Sequence, residues 1–122
     1  MTNTQGALRN GMQISEEKIG DVWTVGLQGR LDAATSKGAE EFLLQRIDGG
    51  ERFLALDLSR LDYVSSVGLR VLMMCAKRLK AAQGKLVVYG LTPQVRQVFE
   101  IAGFLTLFPA FAGRDEAVAG IK

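Results

Sequence analysis

"LALDLSRLDYVSSVGLRVLM" (54–73) contains the change of hydrophobic period on which the fold turns. Its first part alternates: Phe53, Ala55 and Asp57 fall against Leu54, Leu56 and Leu58, the pattern of a short buried strand. A Ser/Arg/Asp turn follows. From Ser66 the apolar positions step by four through Val67, Val71, Cys75 and Leu79, with Leu72 and Ala76 widening the stripe. Lys77, Arg78 and Lys80 point away from it. The spacing predicts a helix from Ser66 to about Gln83, closed by Gly84. The stretch is therefore a strand, a loop and a helix, with two adjacent hydroxyls at the helix start.

The flanks repeat the unit. Upstream, "MQISEEKIG" (12–20) and "DVWTVGLQG" (21–29) alternate like a β-hairpin with one face buried. In "RLDAATSKGAEEFLLQRI" (30–47), Ala39, Phe42, Leu43 and Ile47 recur at helical spacing, predicting a helix over about 34–48 that ends at Gly49 and Gly50. Downstream, "KLVVYGL" (85–91) is another apolar strand. Thr92-Pro93 supplies an N-cap and a first-turn proline, with Val95, Val98, Phe99 and Ala102 on the inner face and Gly103 at the end. "FLTLF" (104–108) is expected to form a last strand, and "GRDEAVAGI" (113–121) a short helix with acids in its first turn.

The order β-β-α-β-α-β-α-β-α implies an α/β fold: a mainly parallel or mixed sheet of about four to five strands with helices packed on it. Right-handed crossovers bring the loops after the strands' C-terminal ends to one edge, where such sheets bind. "GRLDAATS" (29–36) and "YVSSVG" (63–68) both belong to that edge.

Composition narrows the function. The 122 residues suit one domain, read as a flexible tail over 1–11 and a folded unit over 12–122. No apolar run approaches the roughly 18 residues of a membrane span, and the polar N-terminus does not resemble a signal peptide. The single cysteine, Cys75, falls in an apolar stripe, as a buried thiol in a cytoplasmic protein would. The net charge of +2 is small; Arg70, Lys77, Arg78, Lys80 and Lys85 do gather, and they are read as a solvated helix face rather than a nucleic-acid surface. Histidine is absent, which removes Ser-His-Asp and Cys-His catalysis and histidine-supported metal sites. Neither a metal nor a cofactor is expected.

Ser65 and Ser66 carry more than one reading. A serine before a helix is a preferred N-cap. A nucleophile would need a base within reach, and the chain offers no histidine for that role. The Walker pattern does not occur, yet a helix N-terminus favours a negative charge, so a phosphate attached to either serine would be accepted there.

Four pieces together resemble one family: "LQGRLDAATS" (27–36), "LALDLSRLDYVSSVGLRVLM" (54–73), "GKLVVYGLTPQVRQVFEIAGF" (84–104) and "LTLFPAFAGRDEAVA" (105–119). Their order and spacing resemble the STAS domain of anti-sigma factor antagonists over about 12–119. The resemblance implies a partner-switching regulator with no chemistry of its own. In its unmodified form it would bind an anti-sigma factor that is a GHKL-type serine kinase. Phosphorylation of a serine at the start of the second helix would release it, and a PP2C-type phosphatase would reverse this. Many members read Asp-Ser-Ser/Thr-Gly-Leu at the turn; here it is Ser65-Ser66-Val67-Gly68-Leu69. The resemblance thus implies Ser66 as acceptor, with Ser65 as second choice. It also implies a partner-binding set of Asp32, Ser65, Ser66, Val67, Gly68 and Arg70. Asp32 carries a second reading as a helix cap or Asx turn, and Asp57 is expected to bond backbone at a strand end. The family also contains subunits that do not switch, for instance beside an ABC transporter in lipid trafficking.

Overall fold

The computed structural model describes residues 8–9 and 12–122, so most of the expected tail over 1–11 lies outside the described residues. Among these residues, seven strands form one mixed sheet: β1 (Leu8–Arg9), β2 (Met12–Ile19), β3 (Val22–Leu31), β4 (Phe53–Asp57), β5 (Leu61–Val64), β6 (Lys85–Tyr89) and β7 (Ala110–Phe111). Four α-helices are α1 (Ser36–Asp48), α2 (Ser66–Ala81), α3 (Pro93–Ile101) and α4 (Arg114–Gly120). The expected α/β architecture is present. The strands beyond the expected four to five are short pieces of two or four residues.

The sheet runs β1-β2-β3-β4-β6-β7. The β1-β2-β3 part is antiparallel and the rest parallel. β3 outlasts β4 at its C-terminal end. β5 takes up the freed ladder, pairing Arg30 with Tyr63 and Leu31 with Val64 after a register shift. That substitution carries the start of α2 to the end of β3.

Helices α1, α2 and α3 cover one face. Trp23, Val25 and Leu27 of β3, Leu54 and Leu56 of β4, and Leu86 and Val88 of β6 meet Leu43, Leu72, Cys75 and Phe99 there. Each fully buried leucine in that layer contributes roughly 1.5–3 kcal/mol. The second face is not wholly solvated, as the hairpin pattern implied. α4 lies over Val22, Ala55 and Val87, burying them with Ala117 and Ile121. Beyond its reach the face turns polar at Gln13, Ser15 and Gln28.

Three local expectations need correction. "FLTLF" is not a strand: Phe104–Thr106 is a 3-10 turn, in which Leu107 and Phe108 N–H groups donate to the Phe104 carbonyl at 2.9 and 2.8 Å. The curl brings Phe104 and Phe108 onto Phe99, edge to face, with centroids 5.8 and 6.4 Å away. An extended chain would have strung them apart. Ala102, expected inside, is exposed because α3 stops at Ile101. Val67, assigned to the apolar stripe of α2, is 37% exposed; the first turn buries Gly68 and Leu69 instead.

Candidate functional site

The β5–α2 turn is built from its backbone. Ser65 is extended (φ −94°, ψ 174°), and its N–H donates to the Leu31 carbonyl at 2.9 Å. Its Oγ accepts from the Gly68 N–H at 3.2 Å, so Ser65 is the N-cap of α2. Gly68 is buried against Leu31, where a β-carbon would fall 2.6 Å from the carbonyl oxygen. The glycine is there because two backbones approach too closely for any side chain.

Ser66 is the first residue of the helix and is exposed. Its hydroxyl has no hydrogen-bond partner among the described residues. The two serines, indistinguishable by position along the chain, therefore differ: one holds the helix start and the other projects from it. Val67 and Arg70 are also exposed, and Arg70 has no ion pair among the described residues.

Asp32 sits one residue beyond Leu31, in the loop that leads into α1. Its Oδ1 accepts from the N–H groups of Ala34 at 3.0 Å and Thr35 at 3.3 Å, an Asx turn. Its carbonyl accepts from Ser36 Oγ at 2.6 Å. Arg30 Nε donates to Oδ2 at 3.3 Å. Desolvation works to raise the Asp32 pKa, but bonds from Arg30, Thr35 and Ala34 outweigh it and hold the carboxyl below its ordinary value. The loop-ordering reading of Asp32 is thus present in the structure, and the residue stands beside the serine turn through Leu31. Asp57 bonds Ser59 N–H at 2.9 Å and Ser59 Oγ at 2.6 Å, closing its own strand end.

Two residues were not singled out from the sequence. The Arg30 guanidinium lies 4.3 Å from the centroid of the Tyr63 ring, and both are exposed. They face each other only because of the β3–β5 register. Tyr63 at 40% and Val67 at 37% exposure put apolar surface on either side of Ser66 in the chain.

Asp32 has both carboxylate oxygens hydrogen-bonded, Oδ1 by its own loop and Oδ2 by Arg30 of β3, which makes it a poor base. Among the described residues, no group of three or more Cys, Asp or Glu side chains could hold a metal ion. The helix N-terminus does accept negative charge, so an added phosphate on Ser66 would sit where the α2 dipole favours it. No helix among the described residues is long and apolar enough to cross a membrane.

Comparison with known proteins adds a family. The family model described as "STAS domain" matches residues 13–117. A Bordetella bronchiseptica protein, BtrV, named provisionally as an anti-sigma factor antagonist, is 45% identical over 111 residues, covering 91% of this chain and 96% of the relative. The anti-sigma-B factor antagonist of Listeria monocytogenes is 32% identical over 89 residues, covering 72% of this chain and 77% of its own. The crystal structure of an anti-sigma factor antagonist from Mycobacterium paratuberculosis superimposes with a TM-score of 0.81 at 22% identity, over 98% of this chain and 94% of that one. That likeness establishes the fold.

Proposed function

The chain belongs to the STAS domain family, and on that premise we propose that it is an anti-sigma factor antagonist controlled by phosphorylation of Ser66. In the unphosphorylated state it binds an anti-sigma factor that is a GHKL-type serine kinase. Phosphate on Ser66 ends that binding, and a PP2C-type phosphatase restores it. The chain is a cytoplasmic substrate and regulator, not an enzyme, and its partners are proteins, not nucleic acid.

One observation supports this reading most: Ser66 is exposed at the first position of α2 with no structural duty, while Ser65 caps the helix. A group added to Ser66 therefore leaves the fold in place. A phosphate brings about −1.5 to −2 charges at neutral pH. The helix start accepts that charge. A partner surface packed on Val67 and Tyr63 does not, because closing over Ser66 must strip water from the phosphate. The switch acts on binding and leaves folding alone. Asp32, Gly68 and Arg70 complete the proposed contact surface, Gly68 by setting how closely the turn approaches β3.

The test is phosphorylation by the cognate kinase, followed by mass spectrometry of the modified peptide. Phosphate on Ser66, lost in Ser66→Ala, is expected. Phosphate on Ser65, or on neither serine, would overturn the assignment. Binding to a transporter ATPase with no kinase binding would favour the non-switching role.

A further inference from the structure

A trough of about 510 Å3 opens along the C-terminal half of α2, at the other end of the helix from Ser66. Leu86 and Phe108, 4% and 2% exposed, line its base. One wall is α2 itself, where Met73, Ala76, Lys77 and Lys80 stand at i, i+3, i+4 and i+7, about 10 Å or two turns. Across from them is Leu107, a large apolar side chain left 54% exposed. Lys85 joins Lys77 and Lys80 at the lining, and no acidic residue is present in it. All three lysines are exposed, and none has an ion pair among the described residues.

We propose that this trough docks an acidic amphipathic helix of a partner protein, at a surface separate from Ser66. An apolar base flanked by three unpaired cations is the complement of a helix with an apolar stripe and carboxylates beside it. The two-turn wall matches the length over which such a stripe makes contact. The trough is open along its side, so a small anionic amphiphile would keep much of its surface in water, unlike a ligand in an enclosing pocket. Among the described residues a second copy has no free apolar helix face to offer: α4, seven residues long, already buries Ala117 against the second face of the sheet. The apolar stripes of α1, α2 and α3 are turned into its own core.

The probe is a fluorescein-labelled helical peptide of about 14 residues, four turns, with leucine at i, i+3, i+4 and i+7 and glutamate on the flanks. Saturable binding is expected, with amide shifts at Met73, Ala76 and Leu107. Leu107→Asp, or Lys77→Glu with Lys80→Glu and Lys85→Glu, should weaken it at least about tenfold through lost apolar contact or reversed charge. These side chains are exposed, and circular dichroism checks that the variants fold. The proposal fails if a lysine-flanked peptide binds equally, if the shifts map elsewhere, or if the variants bind like wild type. It fails equally if dodecanoate or anionic vesicles shift these residues and the peptide does not, or if the trough is closed by self-association in sedimentation.

Discussion

Gly68 stands against Leu31 so closely that a β-carbon on it would lie 2.6 Å from the Leu31 carbonyl oxygen and 2.8 Å from Leu31 Cγ. This contact brings the serine turn to the loop that carries Asp32. Gly68→Ala is expected to destabilise the fold. Alanine gains about 0.5–1 kcal/mol in a helix, but overpacking against fixed backbone costs about 1–3 kcal/mol. Urea unfolding should show the loss. Gly26→Ala meets the Ser15 hydroxyl at 2.8 Å, which can rotate aside, and Asp57 Cβ at 4.0 Å, an ordinary contact, so it should cost less.

Ser65→Ala and Ser66→Ala should separate cap from acceptor. Loss of the Ser65 cap is expected to cost about 1 kcal/mol. Ser66 is exposed and unbonded, so its change should stay within about 0.5 kcal/mol. Equal losses in chemical denaturation would show that Ser66 is structural after all.

Ser66→Asp should leave stability unchanged or raise it by about 0.3–1 kcal/mol, since a negative charge in the first turn suits the helix dipole. Affinity for the kinase should fall, while Ser66→Ala keeps it. Calorimetric titration alongside thermal melting reads both effects; a parallel fall in melting temperature and affinity would assign the loss to unfolding.

Acid sensitivity should depend on Glu16. Arg46 Nη2 and Nε donate to its two oxygens at 2.7 and 3.1 Å, and Trp23 Nε1 donates at 2.9 Å. The Arg46 bond is the main reason its pKa lies below the ordinary 4.5; partial burial opposes it and Trp23 assists. Above 4.5 the carboxylate is charged in both folded and unfolded chains, and its stabilisation is fully present. It is lost as pH falls through the lower folded value. Glu16→Gln should therefore be less stable than wild type at neutral pH, with the two stabilities converging in acid. A gap that persists at low pH would count against this pair.

Cys75 should be inert in the native protein. Burial, aided by the Glu40 charge and opposed by Arg78, pushes its thiol up to about 12. A thiol reagent at neutral pH should label it only after guanidinium unfolding. Fast labelling of the folded chain would mean that the α2 core opens readily.

The sequence alone determined the alternation of strand and helix, the start of one helix at Ser66 and the cap of another at Thr92, and the placing of two hydroxyls at the turn between a strand and a helix. Those are local properties: the period of apolar residues and the chemistry of caps act within a few neighbours along the chain. The family resemblance rested on the same local pieces in order. Only the tertiary structure decided that Ser65 holds the cap while Ser66 is free. It also turned Val67 outward, set Arg30 over Tyr63, and curled "FLTLF" around Phe99. The first three depend on partners far away in sequence, and the last on packing between aromatic rings of one local stretch. β5 replaces β4 beside β3, Leu31 fills the space next to Gly68, and Phe99 draws in Phe104 and Phe108. Register and close packing are set by where elements meet, and a local period carries no record of that.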